Sequence, residues 1–186
     1  MYREIEIKLK AKDLNTLEIK LKDAGCVFSE PINQYDVIYS EGENSGVRPS
    51  GKAKEGHLAI RIRRENENIA KLTLKQQKSG EMDNLEYETK VDDAEAVHRI
   101  LEALKWKPQL EVKKIRKKGM LGEYEICLDR VDGLGEYIEI EKMVEENANP
   151  QEVRKELFEI IKPFGLSEPD EETRGYDTLI YQLNQK

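Results

Sequence analysis

Charged side chains recur at every second position along several short segments of the chain, and they are the types that hold phosphates and hard metal ions. Glu4, Glu6 and Lys8 alternate with Ile5, Ile7 and Leu9, and Arg61 and Arg63 alternate with Ile60 and Ile62. Lys71 and Lys75 stand against Leu72 and Leu74, and Glu86, Glu88 and Lys90 share one parity. Lys114 and Arg116 do the same, as do Glu123, Glu125 and Asp129 against Ile126 and Leu128, and Glu139 and Glu141 against Ile138 and Ile140. Successive side chains of a strand point to opposite faces, so each charged set occupies one side of its strand. Guanidinium and ammonium groups suit phosphoryl oxygens, arginine bidentately. Carboxylates clustered beside them suit Mg²⁺ or Mn²⁺, which prefer oxygen ligands. A surface with both is a site for a metal-bound polyphosphate.

The elements that must position these groups are strands. Period-two patterning predicts strands over Glu4–Leu9, Gln34–Tyr39, Leu58–Arg63, Ile69–Lys75, Glu86–Val91, Leu110–Lys117, Glu123–Arg130 and Glu136–Lys142. An open sheet with one solvated face would show the same parity, but such faces mix in Thr, Ser, Asn and Gln, which are scarce here. About eight strands suffice to close on themselves. Closure turns the apolar face outward and lines a central tunnel with charge, tolerable only if the charges pair or bind ions. The fold class expected is α+β: a closed eight-stranded antiparallel β-barrel with amphipathic helices packed outside.

Those helices are legible. Asp13 can cap one that turns Leu14, Leu17 and Leu21 to the core and stops at Gly25. Asp92 or Asp93 can cap a second, with Val97, Ile100, Leu101 and Leu104 on its buried face. Asn149-Pro150 opens a third, carrying Val153, Leu157, Ile160 and Ile161, with proline at its first position. A last piece carries Tyr176, Leu179, Ile180 and Leu183. A polar turn is expected at Ser79-Gly80, and residues 40–56 have no periodicity and read as a mobile loop. Strand-plus-helix units beginning at Glu4 and at Glu86 look alike. An internal duplication, 1–80 against 84–142 with C-terminal helices over 150–186, is therefore an expectation within one domain of 186 residues.

Composition narrows the partners. A formal net charge of −7 argues against nucleic-acid binding through a basic surface. No apolar run approaches the ~20 residues of a membrane span, and Met1-Tyr2-Arg3-Glu4 does not resemble a signal peptide. Cys26 and Cys127 have no metal-ligand spacing and read as reduced thiols, so the expected location is the cytoplasm. Gly46 to Ala53 nearly spells a phosphate-binding P-loop, but Ala53 stands where a hydroxyl should meet Mg²⁺ and no helix follows. His57 and His98 are isolated, and Cys127, though on the charged face, lacks a base.

These segments also resemble the CYTH superfamily, the triphosphate tunnel enzymes that include class IV adenylate cyclases and thiamine triphosphatases. The likeness covers nearly the whole chain. It rests on the E-x-E-x-K run Glu4, Glu6, Lys8, followed in the family's order by Ala59 to Arg63, Leu72 to Lys75, Lys114 to Arg116, and Leu128 to Glu141. The Gly133-Leu134-Gly135 turn and the Thr173 to Leu179 ending are most similar to class IV adenylate cyclases. The resemblance implies that Lys8, Arg61, Arg63, Lys75, Lys114 and Arg116 hold phosphates. It implies that Glu4, Glu6, Asp129, Glu139 and Glu141 hold Mg²⁺ or Mn²⁺, with Lys8, Glu6 and Glu139 closest to the chemistry. The expected function is conversion of ATP to cyclic AMP and pyrophosphate. Hydrolysis of inorganic, thiamine or nucleoside triphosphate is the alternative, and a non-catalytic polyphosphate or nucleotide sensor the second. A homodimer is kept open.

Overall fold

The computed structural model describes residues 2–41, 55–66 and 69–185. Strand β1 (Tyr2–Lys10) leads to helix α1 (Leu14–Asp23), a two-residue strand β2 (Val27–Phe28), and strands β3 (Ile32–Glu41), β4 (Leu58–Glu65), β5 (Ile69–Gly80) and β6 (Asp83–Val91). Helix α2 (Ala94–Ala103) precedes β7 (Trp106–Leu121), β8 (Tyr124–Val131) and β9 (Gly135–Glu145). Helices α3 (Pro150–Ile161) and α4 (Tyr176–Asn184) end the described chain.

Eight of these strands form a closed antiparallel barrel in the order β7-β3-β4-β5-β6-β1-β9-β8, with β8 pairing back onto β7. Closure depends on β7, whose 16 residues pair with β3 along Trp106–Arg116 and with β8 along Lys114–Leu121, and also with the short β2 at Gly119 and Met120. The thinnest seam joins β1 to β6 through only two register pairs, Glu4 with Asn84 and Ile5 with Asp83. Beyond it the C-terminal segment takes over the wall. Leu9 bridges to Glu171, and the Glu172 amide donates to the Lys8 carbonyl at 2.8 Å.

The outward face is the apolar one. Ile5, Ile7, Leu9, Ile126, Leu128, Ile138 and Ile140 are buried under Leu14, Leu17 and Leu21 of α1 and Val153, Leu157, Phe158 and Ile161 of α3. Each such side chain contributes roughly 1.5–3 kcal/mol on burial, so the shell between barrel and helices carries the hydrophobic stabilisation and leaves the interior free for charge. Asp13 caps α1 by accepting from the amides of Asn15 (2.9 Å) and Thr16 (3.3 Å). Asp93, rather than Asp92, caps α2, and Asn149 caps α3 ahead of Pro150.

Several expectations need correction. The β5–β6 turn is Glu81-Met82; Ser79 and Gly80 still belong to β5, and Gly80 pairs with Asp83. On α2 only Leu101 is buried, while Ile100 and Leu104 are exposed, because the helix meets the barrel along a narrow line at Tyr39 and Ile62. In α3 the buried set includes Phe158, with Ile160 only half-buried. Leu183 of α4 is exposed. Strand β2 carries too few residues to show a period. The expected mobile loop over 40–56 falls largely on residues 42–54, which lie outside the described residues, while Ser40 and Glu41 complete β3.

Candidate functional site

The barrel encloses a cavity of about 650 Å³ lined by inward side chains from β1, β3–β9 and the start of α4. Its basic members are Lys8, Arg61, Arg63, Lys75, Lys114, Arg116 and Lys118, and facing them are Glu4, Glu6, Glu86, Glu139 and Glu141. Period-two alternation on a closed sheet is what brings residues so distant in sequence to one wall.

The basic groups differ in how tightly they are held. Arg63 is locked to Asp36 of β3 by two hydrogen bonds of 2.7 Å. Arg116 donates to both oxygens of Asp129 at 2.7 and 2.5 Å, also to Glu139, and lies 3.7 Å from Glu141. Lys114 reaches Asp129 at 3.3 Å. Lys75 pairs with Glu86 and lies 3.9 Å from Glu4. Lys8 donates to the Arg174 carbonyl. Arg61 is the loosest, with one bond to Thr73 at 3.2 Å, carboxylates of Glu88 and Asp36 at 3.8 and 3.9 Å, and an Nε without a partner among the described residues. Its donors are the readiest for an incoming anion.

The acids converge elsewhere on the wall. Glu6 and Glu141 stand directly across from each other in the β1–β9 pairing, and Lys8 stands across from Glu139. Carboxylate oxygens of Glu6, Glu139 and Glu141 lie within 4.8 Å of one another. Burial raises Glu4 well above the usual carboxylate range, with Glu141 adding to it, and raises Glu6, with Glu139 adding to it. Glu141 is pushed up to about 8 by burial, against the pull of Arg116 and with Glu6 and Glu139 adding to the rise. Glu139 goes the other way, because Arg116 and Lys114 overcome its burial. These carboxylates hold protons above their ordinary range first because they are buried and second because they crowd one another. Hard oxygen donors in that state fit a divalent cation.

Asp129 stands differently from the other expected metal ligands. It is fully buried behind the cavity wall and accepts from Arg116, Lys114 and the Tyr176 hydroxyl (2.9 Å), so a cation would have to displace these partners. Lys90 is exposed, Lys71 is held between Glu65 and Glu88, and Glu123 is an exposed residue of the cavity rim. Sequence reasoning missed Asp36, although its parity with Gln34 and Ile38 was available. It also missed the place of Tyr176, whose ring centroid is 4.3 Å from the Lys8 ammonium and 4.8 Å from that of Lys114. Cys127 directs its thiol toward Glu125 and Glu141 at 3.4 and 3.6 Å, and burial pushes it well above the ordinary thiol range.

The raised acids give stability a sign with pH. Glu141 ionises near its ordinary value of 4.5 when unfolded and near 8 when folded. Across that interval the folded chain keeps a proton the unfolded chain has lost, so stability falls as pH rises. The lowered groups Asp36, Asp129 and Glu139 act oppositely, losing their contribution only as pH falls below the ordinary carboxylate range. Metal-chelated protein is expected to melt highest near pH 5 and progressively lower toward pH 8. Glu141→Gln should flatten that fall. A melting temperature that rises from pH 5 to pH 8 contradicts the assignment.

Comparison with known proteins agrees with this geometry. A family model described as "CYTH domain" matches residues 2–176. A Methanocaldococcus jannaschii protein named "Putative adenylate cyclase MJ0240" is 30% identical over 175 residues, 93% of this chain and 95% of its own. The protein named "Adenylate cyclase CyaB" of Aeromonas hydrophila is 28% identical over 92 residues, about half of each chain (50% and 48%). A conserved hypothetical protein of Pyrococcus furiosus superposes with a TM-score of 0.78 at 26% identity, over 95% of this chain and 99% of that one. No helix among the described residues is long and apolar enough to cross a membrane.

Proposed function

The chain belongs to the CYTH domain family, and from that premise we propose that it is a divalent-metal-dependent enzyme acting on a triphosphate, converting ATP to cyclic AMP and pyrophosphate. The observation that carries this reading is one cavity with a basic wall around Arg61, Lys75 and Lys114 and uncompensated carboxylates at Glu4, Glu6 and Glu141. A passive anion binder has little need of the second set. Lys8, Arg61, Arg63, Lys75, Lys114 and Arg116 bind and orient the phosphate chain, and Glu4, Glu6, Glu139 and Glu141 would hold the cation, Mg²⁺ or Mn²⁺. Asp129 serves as the buried anchor of Arg116 and Lys114. When bound, the cation neutralises charge that builds on the phosphoryl oxygens.

Phosphoryl and nucleotidyl transfer ask the protein mainly for position and charge. The ribose 3′-hydroxyl oxygen bonds to the α-phosphorus, the bond from that phosphorus to the bridging oxygen breaks, and pyrophosphate leaves with the electron pair. The hydroxyl proton passes to solvent water, while Glu6 and Glu139 keep the charge that would hold the cation. The barrel holds the reacting oxygen ~3–3.5 Å from phosphorus when the phosphate chain is fixed below it. The same grip would serve a triphosphatase, in which water attacks a terminal phosphate, so the products decide. With ATP and Mn²⁺, chromatography is expected to yield cyclic AMP and pyrophosphate. ADP with orthophosphate alone, or tripolyphosphate consumed far faster than ATP, replaces the cyclase reading with the hydrolytic one.

A further inference from the structure

Strand β1 carries Glu4, Glu6 and Lys8, yet one of its edges is thinly paired. The backbone hydrogen-bonding groups of alternate residues in a strand point to opposite neighbours. Those of Glu6 and Lys8 point away from β9, to the side that β6 would cover. β6 begins at Asp83, across from Ile5, and pairs with β1 only at Glu4 and Ile5. Beyond that point the hydrogen bonds come from elsewhere in the chain. The Glu6 amide donates to the Met82 carbonyl in the β5–β6 turn at 3.0 Å, and the Lys8 carbonyl accepts from the Glu172 amide at 2.8 Å. The Glu6 carbonyl accepts from a side chain, the guanidinium of Arg154 on α3, at 3.3 Å.

Arg154 reaches this carbonyl from outside the barrel. Its helix neighbours Val153 and Leu157 lie in one apolar cluster with Ile5 and Ile7 of β1. The other arm of its guanidinium pairs with the carboxylate of Glu171, the residue that bridges to Leu9. One planar fork therefore ties α3, β1 and the C-terminal segment together at the seam, which a single ammonium donor does less completely.

Glu6 needs such support. On the inner face its carboxylate stands with those of Glu139 and Glu141, with oxygens within 4.8 Å of one another. Carboxylates so close repel when ionised, and the backbone behind Glu6 has to resist that push. A continuous β6 would resist it through the ladder of the sheet. At Glu6 that task falls to Met82 and Arg154.

We propose that Arg154 is a positioning residue for the cation site. From behind the wall it fixes the backbone from which the Glu6 carboxylate projects toward Glu139 and Glu141. The proposal rests on the metal-dependent triphosphate reading above and adds a residue outside the cavity on which cation affinity depends. Groups that orient a metal ligand without touching the metal typically set affinity by about 10–100-fold.

The test is calorimetric titration with tripolyphosphate, over a range of Mg²⁺ concentrations and in chelator. The proteins are wild type, Arg154→Leu, Glu6→Gln and the double variant. Arg154→Leu is expected to need about tenfold more Mg²⁺ to reach half its maximal gain in affinity. In chelator it should bind tripolyphosphate within about twofold of wild type, because the basic wall is untouched. Added to Glu6→Gln, it should shift the Mg²⁺ requirement by less than about twofold, because it acts through Glu6. A merely structural arginine would subtract the same amount from both backgrounds. If Arg154→Leu does not fold, Arg154→Gln, which keeps the stem but not the charged fork, carries the same comparisons. An unchanged Mg²⁺ requirement, equal losses with and without Mg²⁺, or additive losses in the double variant overturns the positioning role and leaves the triphosphate site standing. Wild-type protein whose binding of tripolyphosphate ignores Mg²⁺ overturns the metal-dependent reading, and the role of Arg154 with it.

Discussion

Replacing Arg116 with methionine is expected to destabilise the protein by about 3 kcal/mol at pH 7, the cost of leaving a buried charge without its partner. Arg116 is the hub of the interior: it holds Asp129 through two bonds, reaches Glu139, and lies near Glu141. Its partner Asp129 is wholly out of contact with solvent. Lys114 and Tyr176 cannot replace a bidentate guanidinium, so Asp129 and Glu139 would each keep a negative charge with too little to offset it. For a chain of this size the melting temperature should fall by roughly 10 °C. The deficit should shrink in acid. Asp129 is held below the usual carboxylate range by Arg116 and Lys114 against the effect of its burial. The stability it contributes is therefore present above its ordinary value and lost as pH falls toward its folded value. Melts of wild type and variant should begin to converge as pH falls below about 4 and meet only further into acid. A difference under about 1 kcal/mol at pH 7, typical of an exposed pair, would remove Arg116 from the centre of the network.

The second large effect belongs to Glu6. Glu6→Gln is expected to lower kcat/KM at saturating Mg²⁺ by at least about 100-fold, as for loss of one preorganised electrostatic partner of the reacting charge. It should also raise the melting temperature of chelated protein, because it deletes a buried carboxylate that Glu139 crowds. Glu139→Gln should share the loss of activity but not the gain in stability, since Glu139 is a partner of Arg116. The contrast separates two residues that the sequence treats alike. A Glu6→Gln enzyme with wild-type kcat/KM would sink the assignment of Glu6.

How much of this was legible in the sequence depends on what each feature requires. The parity of Glu4, Glu6 and Lys8, and of Glu139 and Glu141, needs only the two-residue period of a strand, and eight expected strands are enough to close, as they do. Which charges face ligand and which face each other needs register. Asp129 looks identical to Glu139 in alternation, yet it sits behind Arg116 rather than on the wall. Asp36 lies on a strand of mixed pattern, where parity with Gln34 and Ile38 gives its face but only the β3–β4 register gives its partner Arg63. The closing role of residues 171–176 depends on the short β1–β6 seam, a tertiary fact with no local signature.

The central claim is that the barrel interior binds a triphosphate together with a divalent cation. Calorimetric titration of the wild-type protein with tripolyphosphate, once in millimolar Mg²⁺ and once in chelator, tests it most directly. The account predicts saturable binding at a single site per chain, weakened at least about tenfold when the cation is withdrawn. No saturable binding at millimolar tripolyphosphate, or an affinity indifferent to Mg²⁺, would contradict it.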